Sequence, residues 1–155
     1  MRAIVLRGNG FLPLLRHLER AYSKWKKLES KTIEYGFFDD SHYSGLNVAT
    51  LAFYLDSGTT KILPFNFMLK SALSNARGMR KNLARLNRAI MQGDKDYQKV
   101  VKDIAQQATE FLQQHMRHGG YTVRSEAWAK EKGFNDALYH YGDLIEAASY
   151  KVVSS

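Results

Sequence analysis

Residues 32–68 read TIEYGFFDDSHYSGLNVATLAFYLDSGTTKILPFNFM, and this stretch decides the fold. Residues 32–38 are rich in β-branched and aromatic side chains, the composition of a half-buried strand. Asp39, Asp40, Ser41 and Gly45 follow, all residue types that accept tight backbone geometry, so a polar turn is expected there. Residues 48–55 are an apolar run that stops at Asp56-Ser57-Gly58-Thr59, with glycine just past the end, as at a helix C-terminus. Periodicity alone leaves so short a run open between helix and strand; with its stop signal we read it as a short helix. Pro64 pushes Leu63 out of helical space, so residues 61–65 are extended. Asn66 then stands where a helix cap is expected.

Upstream, residues 2–7 (RAIVLR) read as a short strand, and Gly8-Asn9-Gly10 breaks it. From residue 11 to 31, Leu15, Leu18, Tyr22, Trp25 and Leu28 recur every three or four positions, which makes them one helix face. Arg16, Arg20, Lys24 and Lys27 lie off that stripe, and Pro13 suits a first helical turn.

Downstream, residues 67–92 form a second long helix. Steps of about 100° put Lys70, Arg77, Lys81, Arg85 and Arg88 on one side. Leu69, Ala72, Ala76, Met79, Leu83, Leu86 and Ile90 fall on the other, the expected core face. Gly78 weakens this helix by roughly 1 kcal/mol relative to alanine, and Gly93 ends it.

A third long helix starts at Asp94 or Asp96. Its stripe is Tyr97, Val100, Val101, Ile104, Ala108, Phe111, Leu112 and His115, and His118-Gly119-Gly120 terminates it. A short helix is expected near residues 126–132, turn character over 133–141, and a closing strand over 149–153. The sum is a single α+β domain over residues 1–155, a small antiparallel or mixed sheet packed with three to four helices.

The chain has 155 residues, 45% of them hydrophobic, enough for one core. No run approaches about 18 apolar residues, so no membrane-spanning helix is expected. The four residues between Arg2 and Arg7 are too few for the apolar region of a signal peptide. Cysteine is absent, which excludes disulfide and thiol chemistry and fits synthesis inside the cell. The net charge is +8 and the isoelectric point about 9.7, so the surface attracts anions. No acidic residue lies between Asp56 and Asp94, whereas Lys61, Lys70, Arg77, Arg80, Lys81, Arg85 and Arg88 do.

No nucleophile–base–acid set is visible, so no catalytic residue, metal or cofactor is assigned. His115 and His118 sit one turn apart, but no third ligand stands at a recognisable spacing, and a helix-end role accounts for them. Asp39, Asp40 and His42 are accounted for by a polar turn, and Tyr139-His140-Tyr141 by packing. Gly8-Asn9-Gly10 lacks the spacing of a phosphate-cradling loop. The basic side of the 67–92 helix has specific electrostatic content. Solvated helix faces are usually balanced by acids four residues away, and this one has none. Like charges on one side call for an anion: DNA phosphates or an acidic protein surface. Without interleaved aromatics, single-strand stacking is not suggested, and any duplex contact is to the backbone and independent of sequence.

The order of elements resembles the tail-completion, or neck, proteins of long-tailed bacteriophages, and the resemblance covers nearly the whole chain. A short strand at residues 3–6 runs into glycine and then a helix with Leu14-Leu15 and Leu18. Ile33-Glu34-Tyr35-Gly36-Phe37 matches the family's valine-x-valine-glycine-phenylalanine strand. Val48-Ala49 opens a helix that reaches Tyr54 and then Gly58-Thr59, and Pro64-Phe65 leads into a long helix. Lys132-Gly133, Leu138, Tyr141-Gly142-Asp143-Leu144 and the closing strand complete the pattern. Leu63 replaces the family's arginine before Pro64, the segment from Tyr54 to Thr59 is looser, and Tyr141 replaces a threonine.

The resemblance implies a non-catalytic structural protein of the virion, assembled in the host cytoplasm. It implies a cyclic ring, typically a hexamer, that joins the head connector to the tail around the DNA channel. Its partners are then further copies of itself and the neighbouring connector and tail proteins. Passing double-stranded DNA is a possible sequence-independent contact, and no membrane is involved. Tyr35, Phe37, Tyr150 and Val152 on the strands, with Asp39, Asp40, His42 and Tyr43 on the loop, become the candidate subunit or partner interface. Lys70, Arg77, Lys81, Arg85 and Arg88 become the candidate contact to DNA or to an acidic partner. The competing reading is a small basic protein that works alone on duplex DNA through phosphate contacts.

Overall fold

In chain order the structure has α1 (Phe11–Glu29), β1 (Lys31–Gly36), α2 (Val48–Ser57), α3 (Phe67–Met91), α4 (Tyr97–His118), α5 (Glu126–Lys132), α6 (Asp143–Glu146) and β2 (Ser149–Ser154). This computed structural model describes residues 11–38, 47–93, 96–121, 126–133, 138 and 143–154. The described residues form an α+β fold, mostly helical with a two-stranded antiparallel sheet. Among the described residues there are six helices, of which α5 is the short one expected over residues 126–132 and α6 is a single further turn. The expected strand at residues 2–7, the turn residues 39–46 and Tyr139-His140-Tyr141 lie outside the described residues.

α4 is the axis of the fold. Its expected stripe is the buried one, widened by Ala105, Thr109 and Met116. Tyr97, Val101 and Ile104 near its start join Ala21, Leu86 and Ile90 in one core cluster. Leu112 and Met116 near its end join Val48, Ala52, Phe67, Tyr121, Leu144 and Ile145 in a second. Phe111 sits at the rim of this face, half-buried, with its ring stacked 6.4 Å from that of His115.

α3 lies antiparallel to α4. Phe67 meets Tyr121 at one end, Asn82 Nδ2 donates to Gln107 Oε1 at 3.0 Å midway, and Ile90 shares a cluster with Tyr97 at the other. The contact between them is lined by small residues: Ser71 and Ala89 on α3, Ala105, Ala108 and Thr109 on α4, all buried. Small side chains let the helix axes approach closely. β1 pairs with β2 so that Ile33 faces Val152 and Tyr35 faces Tyr150. The sheet packs on α4, with Ile33 and Val152 against one core cluster and Tyr35 and Phe37 against the other.

The connection between α2 and α3 is tied at both ends. Asn47 caps α2, its side-chain oxygen accepting from the backbone N–H of Ala49 at 2.9 Å and Thr50 at 3.4 Å. Gly58 ends α2 at φ 80°, where a Cβ would stand 2.8 Å from the Ile62 carbonyl oxygen. Thr59 donates its N–H to Ile62 O at 2.7 Å and accepts at Oγ1 from Lys61 and Ile62. Asn66 is not the side-chain cap expected of it: it adopts a left-handed conformation with φ 52° and makes no cap bond. Asp56 takes that role, its carboxylate accepting from Met68 N at 2.9 Å.

Candidate functional site

Two helices present faces that differ from their sequence-derived orientation, and the difference creates the surface of interest. On α3 the buried residues are Phe67, Ser71, Leu86, Ala89 and Ile90. Of the expected core face, Met79, Leu86 and Ile90 do turn inward, whereas Leu69 and Leu83 are exposed, together with Leu73. On the inward side Phe67, Leu86 and Ile90 fill the two core clusters while Ser71 and Ala89 leave room between them, and this sets the rotation.

On α1 the inward residues are Ala21, buried, and Leu28, half-buried and packed on the same cluster. Lys24 Nζ lies 5.4 Å from the Tyr97 ring centroid, and His17 Nε2 bonds the Met91 carbonyl oxygen. Leu15, Leu18, Tyr22 and Trp25, the expected core stripe, face solvent instead. Ala21 shares its core cluster with Leu86 and Ile90 of α3.

The five basic residues of α3 have different surroundings. Arg77, Lys81 and Arg88 are exposed and make no ion pair with a described residue. Arg85 lies 3.5 Å from the Asp103 carboxylate, with both side chains nearly half exposed, a pair that water screens strongly. Lys70 Nζ lies 5.3 Å from the Tyr121 ring centroid. Arg80, which the expected stripe omitted, is exposed as well.

No family model, no curated protein and no solved structure matches this chain.

The strand residues of the candidate interface sit partly inside the subunit. Tyr35 and Phe37 pack on one core cluster and Val152 on the other, while Tyr150 is half-buried opposite Tyr35. β1 and β2 pair with each other rather than standing free, and among the described residues each keeps one unpaired edge. Asp39, Asp40, His42 and Tyr43 lie outside the described residues.

Beside α3, His115 and Tyr121 meet with ring centroids 6.0 Å apart. His115 Nε2 and Tyr121 OH are buried without a hydrogen-bond partner among the described residues. Burial first, and then the charge of Lys70, lower the His115 pKa from its ordinary value. Burial, followed by the charge of Asp56, raises that of Tyr121. Among the described residues no three His, Cys, Asp or Glu side chains gather into a metal-holding group, so His115 and His118 find no third ligand there. Among them, too, no helix is long and apolar enough to cross a membrane.

Proposed function

We propose that this chain is a structural adaptor of a tailed-phage particle, a neck or tail-completion protein that closes into a ring between head connector and tail. The observation that carries the reading is the sheet. The strand with the family-like pattern, Ile33-Glu34-Tyr35-Gly36-Phe37, pairs with the closing strand, and each strand keeps an unpaired edge among the described residues. Unpaired edges recruit further strands, and cyclic closure uses them without filament growth. The tight Gly58-Thr59 connection into Pro64-Phe65 gives the second family-like motif a structural role. No reaction is assigned to the chain.

The alternative, a basic protein acting alone on duplex DNA, draws on the exposed cations of α3. Native mass in solution, at low and moderate salt, with and without duplex DNA, separates the two. A discrete ring-sized oligomer, or a monomer indifferent to DNA, is expected. A monomer that binds duplex tightly at low salt and releases it steeply as salt rises would overturn the adaptor reading.

A further inference from the structure

The exposed stripes of α1 and α3 lie on the same side of the molecule. On α3, Asn82 and Arg85 reach toward α4, through Gln107 and Asp103. At about 100° per residue, Leu69, Leu73, Ala76 and Leu83 point to the flank away from α4. On α1, Lys24 reaches the Tyr97 ring at the start of α4, so Leu18, Tyr22 and Trp25 occupy the flank away from α4 as well. α1 and α3 run antiparallel, with His17 at Met91 and Leu28 in the cluster of Met79. The two stripes therefore adjoin and form one shoulder.

This shoulder is apolar and basic at once. Leu69, Leu73 and Leu83 are each more than half exposed, as is Tyr22. A groove of about 320 Å³ opens between Tyr22, Trp25 and Leu28, rimmed by Lys26 and Glu29. Along its outer edge α3 carries Arg77, Lys81 and Arg88, and Arg80 stands within the leucine stripe itself. α3 has no acidic side chain along its whole length. Contiguous apolar patches of this kind mark interaction sites, and the flanking charge selects what binds them.

We infer that this shoulder docks an amphipathic helix of a partner protein whose apolar ridge is bordered by Asp and Glu. The ridge lies along Leu69–Leu73–Ala76–Leu83, over roughly 21 Å, and inserts an apolar side chain between Tyr22 and Trp25. Its carboxylates meet Arg77, Arg80 and Lys81. A second copy of α3 supplies no such carboxylates. A lipid surface would have to take Arg80 into its acyl region, because that cation sits amid the leucines rather than on the opposite face. The inference is independent of ring closure, since it uses neither sheet edge.

The test uses the full chain with Trp128→Phe, which leaves Trp25 as the reporter, and three probes. These are a helical peptide with leucines at three- and four-residue spacing flanked by Glu, the same peptide flanked by Lys, and phosphatidylglycerol vesicles. The Glu peptide is expected to shift Trp25 emission to the blue and to bind more weakly as salt rises. Leu73→Ser with Leu83→Ser, and separately Arg77→Glu with Arg80→Glu, should each weaken it about tenfold or more. These side chains are exposed, and circular dichroism checks that the fold is kept. No binding of the Glu peptide at up to about 1 mM overturns the proposal. So does equal binding of the Lys peptide, a response to vesicles alone, or self-association that Leu73→Ser abolishes.

Discussion

The rotation of α3 is decided by two leucines three residues apart. The sequence pattern puts Leu83 and Leu86 on one core face, whereas the structure leaves Leu83 52% exposed and Leu86 only 6%. Leu86 packs with Ile90, Tyr97, Val101 and Ile104. Removing its side chain strips the transfer energy of three buried carbons and leaves a hole that α1 and α4 fill only in part, so Leu86→Ala should cost about 2–5 kcal/mol. Leu83→Ala loses contacts on one side only, and alanine is the better helix former. Its cost should stay below about 1 kcal/mol. Urea unfolding followed by far-UV circular dichroism measures both, on the condition that the transition slope is unchanged. Equal losses for the two variants would refute the rotation, and with it the exposed shoulder.

Three further outcomes follow from local geometry. Asp56→Ala removes the side-chain bond that, among the described residues, reaches the first turn of α3 and should cost about 1 kcal/mol, whereas Asn66→Gly, which accepts the left-handed backbone at φ 52° without strain, should cost much less; equal effects would return the cap to Asn66. Gly58→Ala forces a Cβ to within 2.9 Å of the Pro64 nitrogen at φ 80° and should destabilise by more than about 1 kcal/mol; a neutral result would mean that the connection is loose. His115 is held below its ordinary value of 6.5, so the folded state takes up this proton less readily than the unfolded chain. Stability should therefore fall as pH drops below about 6.5, and His115→Gln should flatten that fall; identical pH slopes for the two proteins would show His115 to be solvated.

Much of the fold was legible because local chemistry wrote it. Gly58 stops α2, Gly93 and Gly119-Gly120 stop the long helices, and α4 carries an apolar stripe wide enough to be the axis. The closing strand was readable from Ser149 to Val153, though its partner was not. Pairing of β1 with β2 joins residues more than a hundred positions apart, and no turn between them sets the register. The role of Asp56 was hidden for the same reason, since its bond to Met68 crosses a twelve-residue connection that sequence spacing does not describe.

The candidate site was legible in its charges and not in its apolar half. A periodic stripe says which residues share a face; it does not say which face turns inward. Where a helix has one apolar side, the two questions have one answer, as on α4. α1 and α3 instead each carry two usable sides: a leucine-rich outer one, and an inner one of Ala21 and Leu28 on α1 and of Phe67, Ser71, Leu86, Ala89 and Ile90 on α3. The inner sides win the intramolecular contact because Phe67, Leu86 and Ile90 fill the clusters and the small residues between them let the packing close. The leucines they displace remain outside, beside cations that no carboxylate of α3 answers. Leaving that much apolar surface in water forgoes burial that other packings would have gained, at about 25 cal/mol per Å². The inferred acidic helix would recover that burial on two adjoining helices, and its carboxylates would answer the cations beside them.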